Sequence, residues 1–183
     1  MSIKNIAPYE RSTVQVGGVS DKSYSTGIKA VDKWGNLYIR AKVLPGTGSV
    51  TGAKYTVLYP ITVGASITVG EFSHDMTDSD EHARGKIGVT QFSQMTAVTH
   101  YGWACVRGQT KYLTATTNTL WTAGVSLVIS TTDNRLNNGA RIATTSMVRD
   151  KVGISLEENG ISTGGMTTGT TISIMLDGIG YGA

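Results

Sequence analysis

The sequence predicts an all-β protein, built as a β-sandwich or as small-barrel modules with an extended N-terminal arm and long loops. Three observations predict it. Threonine and glycine together fill 49 of the 183 positions. Threonine's branched Cβ suits a pleated strand, and glycine supplies the positive φ of tight turns. Apolar residues recur with period two over short runs, the spacing of a strand with one face buried. Charged residues make up 16% of the chain against 39% apolar, so a core forms under little self-repulsion.

The elements follow in order. Residues 1–27 are polar and rich in serine and glycine, and they read as an extended arm. After a turn at Trp34-Gly35-Asn36, NLYIRAKVL (36–44) is a strand. It places Leu37, Ile39, Ala41 and Val43 on one face and Tyr38, Arg40 and Lys42 on the other, polar face. PGTGSVTG (45–52) is a loop. KYTVLY (54–59) is a strand ended by Pro60, because proline cannot donate to a ladder. Gly64 marks a turn and 66–69 a short strand; HDMTDSDEHARG (74–85) is an acidic loop. RGKIGVTQF (84–92) is a strand with Ile87 and Val89 on one face. THYGWACVRG (99–108) is a strand ending at its glycine, with Trp103 and Cys105 on one side and Ala104 and Val106 on the other. Two apolar faces mean that both sides are covered.

Farther on, Ala123-Gly124 turns into a strand over 125–129, and TTDNRLNNG (131–139) is a turn with one apolar residue, Leu136. KVGISLE aligns Val152, Ile154 and Leu156. ENGISTGGMTTGT is a long turn, and TISIMLDG aligns Ile172, Ile174 and Leu176. RGKIGVT (84–90) and RDKVGIS (149–155) are near copies, each preceded by a glycine turn and a short strand (VGASI, AGVSL). Duplication of a β unit and chance recurrence in a Thr/Val/Ile/Gly-rich chain both explain this. Residues 28–183 therefore read as one β-rich domain or as two similar modules, about 28–95 and 96–178.

Several function classes lack support. The net charge is +3, yet no two basic residues are adjacent, so nothing resembles a phosphate-tracking run and no nucleic-acid partner is expected. No stretch reaches the ~18 apolar residues of a membrane helix, and the N-terminus lacks the apolar run of a signal peptide, so a cytoplasmic origin is expected. Cys105 stands alone in an apolar strand and offers neither a disulfide nor an activated thiol. His74, Asp75, Asp78, Asp80, Glu81 and His82 cluster, but without EF-hand or His-x-x-x-His spacing; no metal and no cofactor is expected. No GxSxG elbow or phosphate loop is present, and no catalytic residue is assigned. The aromatics Trp34, Tyr38, Trp103, Tyr112 and Trp121 suit either a core and subunit contacts or a sugar-stacking face.

YGWACVRGQ, AGVSLVIS, NRL, VGISLEEN and ISIMLDG, within about Gly85 to Gly178, carry a resemblance. This half resembles the head decoration and capsid-fibre (cement) proteins of tailed bacteriophages, and its close resembles the lambda-type decoration protein. The resemblance implies a β-tulip fold and a non-enzymatic virion role. It implies a homotrimer assembled in the host cytoplasm, docked on the outer surface of the major capsid protein lattice, with no small-molecule ligand. Tyr9 on the arm, Tyr38, Trp103 and Arg107 are the candidate interface residues. A virion fibre or a receptor- or carbohydrate-binding module is the alternative.

Overall fold

A single long strand organises the molecule. The computed structural model describes residues 4–7, 14–16, 26–44, 54–63, 66–75, 86–93, 99–113, 123–129, 136–138, 151–157 and 171–178. Among them every regular element is a strand. In chain order these are β1 (Lys4–Asn5), β2 (Val14–Val16), β3 (Lys29–Val31), β4 (Leu37–Val43), β5 (Val57–Val63), β6 (Ser66–Ser73), β7 (Gly88–Thr90), β8 (His100–Leu113), β9 (Ser126–Ile129), β10 (Leu136–Asn138), β11 (Lys151–Ser155) and β12 (Thr171–Leu176). The all-β expectation holds.

Strands β4, β6, β5, β7 and β8 are neighbours in that order, and β8 pairs back onto β4, which closes a five-stranded barrel. Closure removes the sheet edges along the paired stretches. The first part of β8, His100–Arg107, pairs with β4. Its second part, Gly108–Leu113, pairs with β12, from which β11, β9 and β10 continue as a second sheet. β8 is thus common to barrel and sheet, and the barrel takes strands from both sides of residue 95.

Two cores result. Leu37, Ile39, Ala41, Val43, Leu58, Phe72, Phe92, Ala104 and Val106 form one cluster. Its strand residues all come from the barrel and alternate along each strand, so this is the barrel interior. A barrel of five strands is narrow, and small residues make the room. A Cβ added at Gly102 would lie 2.2 Å from the Phe92 ring, and one at Gly88 would lie 3.1 Å from the Ala104 methyl. The second cluster joins the barrel's outer wall (Tyr38, Val57, Tyr59, Val89, Trp103, Cys105) to the C-terminal sheet (Leu127, Ile129, Leu136, Val152, Ile172, Ile174, Leu176). Ile87 and Val89 share this outer face, as their spacing predicts, and β8 is covered on both sides.

The structure corrects several expectations. Tyr38 and Arg40 are buried although their face of β4 reads as polar, because the second layer covers that wall. Pro60 lies inside β5, at the point where the β5–β6 register shifts, and such a bulge is where a strand tolerates proline. β6 is longer than its 66–69 reading. Gly108 does not end its strand: with φ of +97° it lets β8 pass from one sheet to the other. Leu136 begins the short strand β10 rather than a turn. In β11 a bulge at Lys151/Gly153 breaks the alternation, so Val152 and Ser155 are buried while Ile154 and Leu156 are only half-buried. The arm is partly tied to its own chain: β1 runs parallel to β3, β2 pairs with β8, and Ile6 joins the interlayer core. The loops at 45–52 and 158–170 lie outside the described residues.

Candidate functional site

The turn before β4 is built around one carboxylate. Asp32 Oδ1 accepts hydrogen bonds from the backbone N–H of Trp34 (2.9 Å) and of Asn36 (3.0 Å). Its Oδ2 accepts from Asn36 Nδ2 (3.0 Å) and from the Tyr38 hydroxyl (3.0 Å). The Asp32 carbonyl also accepts from Gly35 N–H, and Gly35 takes the positive φ that the turn needs. Burial alone would push the Asp32 carboxyl up. The bonds from Asn36, Trp34 and Tyr38 outweigh it and hold the group below the ordinary carboxylate range.

This turn is fastened to the junction of the two sheets. Asn36 Oδ1 accepts the Gln109 N–H at 2.8 Å, one residue past the glycine at which β8 changes sheets. A Cβ at Gly108 would sit 2.2 Å from that same oxygen, so the approach requires glycine. On the facing side, Tyr55 N–H donates to Thr90 O and Leu113 N–H donates to Tyr55 O, both at 2.9 Å. These bonds hold Tyr55 at φ +68°, a left-handed conformation that costs a non-glycine residue about 1–3 kcal/mol. Gln91 Nε2 donates to Thr110 Oγ1 at 2.9 Å and to Val89 O at 3.0 Å, which ties β7 to β8.

Between these walls lies a groove of about 500 Å³, lined by Trp34, Asn36, Tyr38, Lys54, Tyr55, Gln91, Gln109, Thr110, Lys111, Ser173 and Met175. Trp34 is 62% exposed, and the Lys33 ammonium sits 4.4 Å from its ring centroid. A smaller hollow of about 430 Å³, lined by Ile6, Ala7, Asp32 and Lys33, also reaches Trp34. The indole therefore borders both spaces.

Of the expected interface residues, Tyr38 and Trp103 are buried, Arg107 is half-buried and Tyr9 lies outside the described residues. Trp103 is core, 1% exposed, with the Arg40 guanidinium 5.9 Å from its ring centroid. Tyr38 is equally buried, so its reading as a partner-facing side chain is corrected: it forms the floor of the groove and its hydroxyl is bound to Asp32. Tyr112 is core as well, its hydroxyl accepting the Leu136 N–H at 2.8 Å. Arg107 is half-buried, and its stem lies where a Cβ on Gly178 would fall. Tyr9, Trp121 and the acidic cluster beyond Asp75 lie outside the described residues. His74 is buried, and its ring Nδ1–H donates to Val57 O at 3.1 Å. Cys105 is fully buried, in keeping with a core thiol.

Sequence reasoning flagged Trp34 and Tyr38 and missed Lys54, Tyr55, Gln91, Gln109 and Lys111. The turn at Trp34-Gly35-Asn36 is expected from the sequence, and Asp32, two residues before the tryptophan, is the local Asx-turn signal that would have pointed to its organising carboxylate. No local pattern marks the others, which meet only through the sheet pairings. No family model, curated protein or solved structure matches the chain.

Proposed function

We propose that this chain is a non-enzymatic structural protein of a tailed-phage virion. It would be a decoration (cement) protein that binds the outer surface of the major capsid lattice as a homotrimer and stabilises the head. One observation carries the reading. Of the stretches that resemble phage decoration proteins, AGVSLVIS, NRL, VGISLEEN and ISIMLDG reach β9, β10, β11 and β12, which are neighbours in one sheet, while YGWACVRGQ runs along the barrel part of β8 and meets that sheet at Gly108 and Gln109. A shared sheet is what a single resembling module would require.

The physical character of the block supports the same reading. Two cores against a shared strand give a rigid body with little side-chain entropy to lose on docking. The β5–β6 hairpin offers an adhesive edge. Val63 and Val69 are 74% and 69% exposed, and β4 reaches β6 only at Glu71 and Phe72, so Ser66–Val69 has one strand neighbour among the described pairings. An exposed strand edge of this kind takes up a partner through main-chain hydrogen bonds. Weak contacts of this type become strong when multiplied over a closed shell.

The experiment is a heat-release assay on expanded heads stripped of this protein. Added purified protein should raise the temperature at which DNA is released, and the Val63→Glu/Val69→Glu double variant should do so less. Heads that release DNA at an unchanged temperature under saturating protein would refute the cement role. Sedimentation equilibrium giving a monomer at all concentrations would remove the trimer.

A further inference from the structure

The junction groove is built more carefully than a gap between two sheets requires. The backbone of its exposed Trp34 is fixed by a turn organised on a buried carboxylate, and its opposite wall holds a tyrosine in a strained backbone conformation. Strain of this kind persists where surrounding bonds over-determine it, and it collects at ligand sites. We propose that the groove binds an acidic oligosaccharide, with Trp34 as the stacking platform and Lys54 and Lys111 as partners for sugar carboxylates. The inference goes beyond the capsid role and does not rest on it; a fibre or receptor-binding module would use the same site.

The chemistry of the lining selects this ligand class. An exposed indole presents a flat apolar surface that suits the C–H face of a pyranose ring. Polar residues beside it are suited to hydroxyls: the exposed Gln109 and the half-buried Tyr55 border the groove. The Asn36 and Gln91 side chains hold the walls together through their own hydrogen bonds, so they give rigidity more than recognition. The charge is predominantly positive. Lys54 and Lys111 line the groove and Lys33 stands over Trp34; the nearby carboxylates are already engaged, Asp32 in its turn and Glu157 with the Ser173 hydroxyl beside Lys111. A neutral sugar would leave these charges unused; a uronic acid would pair with them. The volumes, about 500 and 430 Å³, fall within the range of small-ligand clefts (about 300–1,000 Å³). Because Trp34 borders both hollows, a linear chain crossing the indole reaches more of the site than a single ring does.

The test uses the full chain and three probes: an oligogalacturonate, its methyl-esterified counterpart, and a short oligothymidylate. Binding is followed by titration calorimetry and by tryptophan fluorescence. The oligogalacturonate should bind at least about tenfold more tightly than its neutral ester, in the range expected for removing charge-assisted contacts. Trp34→Ala should weaken binding by about tenfold or more, as loss of a stacking anchor does, while its circular dichroism and Tm match the parent. Lys54→Gln/Lys111→Gln should reduce the preference for the acid over the ester. No heat and no quenching up to about 10 mM oligogalacturonate would overturn the proposal. So would an unchanged affinity in Trp34→Ala, or binding of the oligothymidylate with no binding of either sugar, which would make the groove a nucleic-acid site.

Discussion

The barrel interior and the layer between barrel and C-terminal sheet are both hydrophobic cores, yet they are made differently. The interior is aliphatic and small, with Ala41 and Ala104 lining it and two phenylalanines filling it. Its limit is space, as the clash of any Gly102 side chain with Phe92 shows. The interlayer core holds the large amphipathic rings: Tyr38, Tyr59, Trp103 and Tyr112. There the limit is polarity, because each buried hydroxyl needs a partner. Tyr38 finds Asp32 and Tyr112 finds the Leu136 backbone. The barrel therefore closes on shape, and the sheet is attached to it by rings that carry polar ends. The candidate groove opens where the second kind of core meets the surface.

That contrast can be broken by substitution. Trp103→Ala removes the largest ring of the interlayer core and is expected to cost about 3–5 kcal/mol. This corresponds to a fall in Tm of roughly 10 °C for a chain of this length. If β8 couples barrel and sheet, near- and far-UV circular dichroism will report one coincident transition. Two separated transitions would mean that the layers fold independently. Gly102→Ala probes the opposite limit. It should cost about 1–3 kcal/mol through overpacking, and Phe92→Leu in the same chain should recover part of that loss by making room. A double-mutant cycle with no coupling would contradict the contact between Gly102 and the Phe92 ring.

Asp32→Asn tests the polar attachment. Charge-assisted bonds become neutral ones, at an expected cost of about 1–2 kcal/mol at neutral pH. The folded carboxyl lies below its ordinary range, so its contribution is complete above that range and is lost as pH falls through it. The stability gap between wild type and Asp32→Asn in urea titrations should therefore close in acid; a gap that persists there would refute the assignment. The smallest effect belongs to the barrel surface. Lys42 and Glu71 pair across β4 and β6 at 2.7 Å but are about 30% and 26% exposed. Glu71→Gln should change stability by less than about 1 kcal/mol. The hydrogen bond from Lys42 to Glu71 raises the lysine pKa, so what the pair contributes is kept below the ordinary lysine range and fades only as pH rises past it.

Legibility in the sequence follows the same division. β4, β8 and β12 are readable because their alternation survives intact into the packed structure. Both faces of β8 are apolar, and both are covered. Where a backbone irregularity intervenes, local pattern misleads. Gly108 reads as a terminator because nothing local distinguishes a strand end from a change of partner, and the bulge at Gly153 shifts burial from Ile154 to Ser155. Tyr38 and Arg40 read as solvent-facing because a second layer over a polar-looking wall leaves no mark within one strand. The groove is readable at Trp34 with its turn and at Tyr38. Tyr55, Gln91 and Gln109 come from segments far apart in the chain, and their meeting depends on β7 lying between β5 and β8.

The central claim is that this chain is multiplied over a capsid shell. Cryo-electron microscopy of virions carrying it tests that claim most directly. The account predicts barrel-plus-sheet density repeated at symmetry-related positions over the whole outer head surface. Density confined to the tail, with a bare head lattice, would contradict it.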